Sequence, residues 1–127
     1  MRWGLEIAAG VWLLAAGAMT AAVALAPSGD PARGAKAYAA NCGSCHSLDA
    51  NRVGPAHRGV YGRKAGTARG YAYSPAMRGA RIVWNEATLD RFLQNPQAMV
   101  PGTRMGFRVP DPARRADVIA YLRQQSR

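Results

Sequence analysis

The feature that most constrains this chain is the pentapeptide Cys42-Gly43-Ser44-Cys45-His46. It contains both cysteines and one of the two histidines of the 127-residue sequence. Three chemistries use such a cluster: a disulfide between the cysteines, a metal site, and a haem attached covalently through both sulfur atoms. Whichever of them applies, residues 42–46 carry the chemistry of the chain.

The histidine next to the second cysteine separates these three chemistries. A disulfide between Cys42 and Cys45 would close a very short loop, so it would constrain the unfolded chain little and would leave His46 unexplained. A zinc site would also need His57, and ligands at adjacent positions such as 45 and 46 are unusual. C-x-x-C-H is the attachment signature of haem c, with the histidine as a ligand of the iron. The pentapeptide therefore favours haem over the disulfide and zinc.

Helix start signals predict an all-α domain with three main helices, and no segment has the alternation of a useful strand. The predicted N-caps are Asp30, Asn85 and Asp111, and the second helix stops at Asn95-Pro96. The Gly- and Pro-rich segment 51–79 is predicted as loop with at most a helical turn at 75–78, and 97–110 as a second loop. A domain with so much loop and so few large apolar side chains needs a bound cofactor as its core.

The iron of such a haem needs a second axial ligand, and methionine is the suitable donor in this sequence. Met77, Met99 and Met105 lie beyond the N-terminal segment. Met105 is favoured because it follows a Pro-Gly turn, where no helical period makes it a core residue. A histidine and methionine pair fills both axial positions and raises the reduction potential. Such an iron is suited to electron transfer and binds substrates poorly.

The N-terminal segment is apolar from residue 7 to residue 26, and it follows Arg2. Its length matches the roughly 20 residues that span a bilayer and exceeds the usual apolar region of a cleaved signal, while Ala22-Val23-Ala24 resembles a cleavage site. We therefore expect residues 1–26 to be an export signal or an uncleaved membrane anchor, the anchor being slightly favoured. Residues 27–29 are a short linker, and 30–127 form a haem domain on the periplasmic side of the inner membrane.

The charge of the chain is strongly basic, with 17 Lys and Arg against 7 Asp and Glu and a formal net charge of +10. The arginines are scattered and no nucleic-acid-binding motif accompanies them, so no nucleic-acid partner is expected. The excess instead favours acidic docking surfaces on redox proteins. The side chains expected to steer such partners are Lys36, Arg52, Arg78, Arg104 and Arg108.

From about residue 30 to residue 125 the chain resembles the class I cytochromes c of the mitochondrial-like bacterial type. The resemblance rests on C-x-x-C-H together with these collinear motifs: VGPAHRGVYGRKAG (53–66), GYAYSPAM (70–77), IVWNEATLDRFLQNP (82–96), VPGTRMGF (100–107) and DVIAYL (117–122). It implies the cytochrome c fold, with three main helices and long loops around one covalently bound haem c. It also implies a one-electron carrier of a respiratory chain or similar pathway, and not an enzyme.

The resemblance also implies a role for individual residues. Cys42 and Cys45 would attach the haem, His46 and Met105 would bind the iron, and the Pro55 carbonyl would accept a hydrogen bond from His46. Tyr73, Trp84 and Thr103 would bind the propionates with Arg63 balancing their charge, while Phe107 would close the edge of the distal pocket. Further haem contacts are expected from Gly54, Tyr71 and Phe92. The crossing of the first and last helices is expected at Gly34, Tyr38, Val118 and Tyr121.

Three positions depart from the family pattern. His57 stands where a leucine usually packs, and so close to Pro55 it is expected on the His46 side and not as a ligand. Phe92 replaces a tyrosine and Met77 an asparagine, which predicts a drier pocket beside Met105. Two alternatives share the haem: a haem subunit of a membrane redox complex, and a peroxidase-like or ligand-sensing protein in which Met105 leaves the iron free.

Overall fold

The computed structural model describes residues 28–127. Within this range there are five helices: α1 (Pro31–Asn41), α2 (Pro75–Gly79), α3 (Glu86–Gln94), α4 (Pro96–Met99) and α5 (Pro112–Gln124). In the same range the only strand-like pairing is one isolated antiparallel bridge between Lys64 and Val83. The predicted all-α fold with long loops is confirmed.

The predicted export signal or anchor at 1–26, and Pro27 of the linker, lie outside the described residues. Among the helices of residues 28–127, none combines the length and apolarity that crossing a bilayer requires.

The main helices begin where the sequence predicts. Asp30 and Asp111 each cap a helix whose first residue is proline, and Asn85 forms a capping box with Thr88. Proline suits the first position because the N–H it lacks would have no partner inside the helix. These caps fix the start of α1, α3 and α5 from local sequence alone.

The loop predicted at 97–110 is wrong at its start, because α4 occupies Pro96–Met99. Asn95 ends α3 and also caps α4, since its side chain accepts a hydrogen bond from the Ala98 N–H at 3.2 Å. Pro96 then stands at the first helical position. The Asn-Pro pair that stops one helix therefore starts the next one.

Helices α1 and α5 cross in close contact at Gly34. A Cβ atom on Gly34 would lie 2.0 Å from the Asp117 carbonyl oxygen, so only glycine fits. Beside it, the rings of Tyr38 and Tyr121 pack with centroids 5.3 Å apart, and Val118 is fully buried. The residues expected at this crossing are the ones that form it.

The crossing is also held by the carboxylate of Asp117. It accepts hydrogen bonds from the Asp30 N–H at 2.8 Å and from the Arg33 guanidinium at 2.9 and 3.0 Å. These bonds, led by the one from Arg33, lower the pKa of the Asp117 carboxyl group. The start of α1 is thereby tied to the middle of α5.

A second tie joins α5 to α3 and to the loop between them. The buried Arg115 side chain contacts Asp90 of α3 at 2.7 Å and donates to the carbonyls of Val109 and Pro110, each at 2.9 Å. The loop after α4 is therefore anchored at its far end, and the three main helices enclose one side of a cavity.

Replacing Gly34 by alanine should destabilise the protein by about 1–3 kcal/mol, because the added methyl group forces α1 and α5 apart. The matched control is Gly79→Ala at the end of α2, where a Cβ would meet no atom within 4 Å. Guanidinium unfolding of both haem-loaded variants measures the difference. Equal stability of the two variants would contradict the close contact at Gly34.

Candidate functional site

The C-x-x-C-H turn follows directly from the end of α1. The N–H groups of Cys45 and His46 both bond to the Cys42 carbonyl, at 3.1 and 2.8 Å. This tight turn sets Cys42, Cys45 and His46 along the border of a single cavity of about 550 Å³ with mainly apolar walls. Its volume lies within the range of small-molecule and cofactor pockets.

The buried imidazole of His46 is fixed at one edge. Its Nδ1 donates to the Pro55 carbonyl at 2.9 Å, as the resemblance implied, so Nε2 is the nitrogen without a proton. A Cβ on Gly54 would lie 2.1 Å from Cε1 of His46, which makes glycine necessary beside the ring. Burial lowers the pKa of His46, although its bond to Pro55 acts in the opposite direction. The result is a neutral, oriented imidazole of the kind that binds a metal.

Arg52 holds the backbone of the same turn. Its guanidinium donates to the carbonyls of Gly43 at 2.6 Å, of Ser44 at 3.3 Å and of His46 at 3.3 Å. The sequence predicted Arg52 only as a surface charge facing partners. Its contacts add a structural role that no local motif indicates.

The loop that contains Met105 also borders this cavity. Gly102 turns this loop with a φ of 91°, a conformation that favours glycine. From α4, the Gln97 side chain donates to the carbonyls of Thr103 and Met105, at 2.5 and 3.3 Å. The helix absent from the sequence-based prediction therefore supports the loop of the candidate ligand.

Almost all of the predicted site residues border this cavity. Those that do are Cys42, Cys45, His46, Gly54, Pro55, Tyr71, Tyr73, Trp84, Phe92, Thr103, Met105 and Phe107. Arg63 is not among the lining residues, because its guanidinium donates to the carbonyls of Ala56 at 3.0 Å and of Arg58 at 3.3 Å. Met77 borders the cavity and Met99 does not.

Tyr71 and Tyr73, two of the three tyrosines that line the cavity, differ in the hydrogen bonds that their hydroxyl groups can still form. Tyr73 accepts a hydrogen bond from the Ala68 N–H at 3.0 Å, so its own proton remains available. Tyr71 donates to the Val53 carbonyl at 2.6 Å and so has already used its proton. Tyr73 can thus donate to a bound carboxylate, whereas Tyr71 contributes its ring.

Phe92 and Met77, the two departures from the family pattern that were expected to make the pocket drier, form an apolar part of the cavity wall. Phe92 packs against Trp84 with ring centroids 5.0 Å apart, and both side chains are buried. Met77 is buried as well and lines the same cavity. Neither position offers a side-chain hydrogen-bond donor to the pocket.

His57 lies on the His46 side, where the sequence placed it. The two imidazole rings stack with centroids 4.0 Å apart and planes inclined by 19°. Burial, together with the smaller effects of the nearby His46 and Arg63, lowers the pKa of His57 to about 3, so the ring is neutral.

The zinc alternative finds little support in this geometry. Across residues 28–127, no three His, Cys, Asp or Glu side chains converge in a way that could hold a metal ion. The pKa of the Cys42 thiol is raised to about 11, mainly by burial and to a smaller extent by the neighbouring Cys45. A high thiol pKa disfavours the thiolate that zinc would require.

This arrangement of C-x-x-C-H, a buried imidazole and a loop methionine around one apolar cavity agrees with the class I c-type cytochromes that the sequence resembles. The family model described as Cytochrome c matches residues 31–126, and the chain belongs to this family. Its cofactor is one covalently bound haem c, and it is an electron-transfer protein and not an enzyme.

Relatives and a solved structure agree with this assignment. Cytochrome c of Euglena viridis is 47% identical over 98 residues, covering 75% of this chain and 96% of that protein. Cytochrome c2 of Rhodomicrobium vannielii is 44% identical over 102 residues, covering 77% and 81% respectively. The structure of cytochrome cH from Methylobacterium extorquens matches with a TM-score of 0.72 and 44% identity, covering 76% of this chain and 99% of that one.

Proposed function

We propose that this cytochrome carries single electrons between redox partners on the periplasmic side of the inner membrane, and that His46 and Met105 would bind the iron of its haem. Haem c supplies the one-electron Fe(II)/Fe(III) couple. Both cysteines, His46 and Met105 line one cavity, and this shared lining carries the proposal. The thioethers would form at Cys42 and Cys45.

Both proposed ligands are held by contacts that do not depend on the iron's charge. His46 is fixed by Pro55 and Gly54, and the Met105 loop is supported by Gln97. Side chains held in this way need to move little when the charge changes, which favours fast electron transfer. They also oppose the peroxidase-like alternative, because that function needs an open axial position.

The polar groups of the cavity suit the two propionates of the haem. Tyr73 has a free proton, and Thr103 and Trp84 are buried at the wall with hydroxyl and indole donors. Arg63, which stands behind this wall, would balance the carboxylate charge from a second layer. We infer that these side chains stabilise the propionates inside a mainly apolar cavity.

Replacing Met105 by leucine should open an axial position without changing the size of the side chain greatly. The reduced variant should bind carbon monoxide at neutral pH, and the oxidised variant should lose the weak near-infrared band of methionine bound to ferric iron. Met99→Leu is the matched control, because Met99 packs against the core outside the cavity. Carbon monoxide binding by the unmodified protein would instead favour the ligand-sensing alternative.

Basic side chains near the cavity support an acidic partner. Arg104 lines the cavity itself, and it donates to the Ala72 carbonyl at 2.8 Å, while Arg78 donates to the Tyr73 carbonyl at 2.8 Å. Within residues 28–127, the cationic side chains that form ion pairs are Arg33, Arg58 and Arg115. Neither Arg78 nor Arg104 is among them. The exposed Val53 and Phe107, which line the same cavity as Arg104, add apolar surface there. Such a surface fits a short-lived complex with an acidic redox protein.

Electron transfer to an acidic partner should slow steeply as salt rises from about 10 to 200 mM, because counterions screen the steering charges. Arg104→Gln should lower the second-order rate constant at low salt. At high salt the rate constants of the variant and of the unmodified protein should become similar. Arg123→Gln, which lies in α5 and does not line the cavity, should change it less. Stopped-flow kinetics measure this, and a flat salt profile would exclude electrostatic steering.

Retention or cleavage of the N-terminal segment determines whether the cytochrome stays tethered to the membrane or diffuses freely. Asp30 is bonded to Asp117, and a Cβ on Gly29 would lie 2.0 Å from the Ala116 carbonyl oxygen, so the chain is packed against α5 from residue 29 onward. A retained apolar segment at 7–26 would therefore hold the haem domain close to the lipid and favour a dedicated partner or a membrane redox complex. N-terminal sequencing of the native protein distinguishes this tethered form, beginning at Met1, from a soluble one beginning near Leu25.

A further inference from the structure

His57 is the second histidine of the chain, and the electron-transfer function described so far does not use it. Its ring covers one face of His46, with centroids 4.0 Å apart and nearly parallel planes. The backbone fixes this position, because the His57 N–H donates to the Ser47 carbonyl at 3.0 Å and the next N–H, of Arg58, donates to the Leu48 carbonyl at 2.9 Å. The stacking is therefore set by the loop that follows the C-x-x-C-H turn.

Tyr38 holds the other side of the His57 ring. Its hydroxyl group and Nδ1 of His57 are joined by a hydrogen bond of 3.0 Å, and the two rings meet edge to face. A tyrosine hydroxyl can donate or accept, so the bond forms with either tautomer of the neutral imidazole. Tyr38 is itself buried in the α1 and α5 crossing. A rigid helix is thus connected through His57 to the ring of His46.

The contacts that hold His46 constrain different motions of its ring. The bond from Nδ1 to the Pro55 carbonyl fixes one direction in the plane of the imidazole. That bond alone leaves the tilt and rotation of the plane free. The backbone at Gly54 lies against the ring, and the flat ring of His57 stacked on His46 further limits both motions. An aliphatic side chain could fill the same space but would not define the plane.

We propose that His57, fixed by Tyr38, is a positioning residue that sets the orientation of the His46 ring and thereby tunes the reduction potential of the haem. This inference rests on the proposed role of His46 as an iron ligand. Groups that orient a metal-binding histidine change both the ligand and the metal's electronic properties.

The test uses the ferric, haem-loaded protein and compares four forms of it. His57→Leu removes both the stacking ring and the hydrogen bond, and Tyr38→Phe removes only the hydroxyl group that fixes His57. Tyr121→Phe is the matched control, because it deletes a hydroxyl group from the ring packed beside Tyr38 at 5.3 Å. Proton NMR of the hyperfine-shifted haem methyl groups reports the orientation of the axial imidazole, and redox titration reports the potential.

His57→Leu should change the order or spread of the methyl resonances and shift the potential, because the His46 ring would no longer be held in its orientation by the stacked imidazole. Tyr38→Phe should shift both quantities in the same direction by a smaller amount. Tyr121→Phe should match the unmodified protein. Agreement of both readouts with this order supports the proposal.

A methyl pattern and potential unchanged in His57→Leu would overturn the proposal, even if the variant melted at a lower temperature, because packing alone would then explain His57. If His57→Leu does not take up haem, an unchanged pattern and potential in Tyr38→Phe overturns it in the same way. The proposal that His46 and Met105 bind the iron is tested separately. If it is wrong, the spectra of the unmodified protein will lack the signals of histidine and methionine bound to iron.

Discussion

The structure depends on one physical constraint: the cavity enclosed by the helices and loops must be filled by a group covalently joined to Cys42 and Cys45. Buried side chains from α1, α3 and α5 point into this space, among them Tyr38, Leu89 and Val118. The walls of this space of about 550 Å³ are mainly apolar, so without the haem they would be exposed to water. The haem is therefore part of the hydrophobic core.

Helix α1 joins the fold to the chemistry of the site. Gly34 sets the crossing with α5, Tyr38 one turn later bonds to His57, and Cys42 at its end begins the haem-attachment turn. Any displacement of α1 against α5 would therefore also move the residues on the His46 side of the cavity. The distal side is supported separately, by the hydrogen bonds of Gln97 from α4. The two proposed iron ligands thus belong to independently anchored parts of the domain.

Local sequence was sufficient for the features that depend on near neighbours. The caps at Asp30, Asn85 and Asp111 predicted the starts of the three main helices, and C-x-x-C-H predicted the haem. Contacts between distant residues were not accessible in this way. Arg52 bonds to carbonyls of the attachment turn, and Tyr38 meets His57, only because the folded chain brings them together. Helix α4 was missed for a different reason, because one Asn-Pro pair both ends a helix and begins another.

The most direct test is to compare the chain with and without its haem by far-ultraviolet circular dichroism during thermal unfolding. The haem-free form can be obtained by replacing Cys42 and Cys45 with alanine and expressing the chain without haem attachment. If the haem is the core, this form should lose most of its helical signal and its cooperative transition. A colourless chain with the helical content and sharp unfolding transition of the haem-loaded protein would contradict that claim.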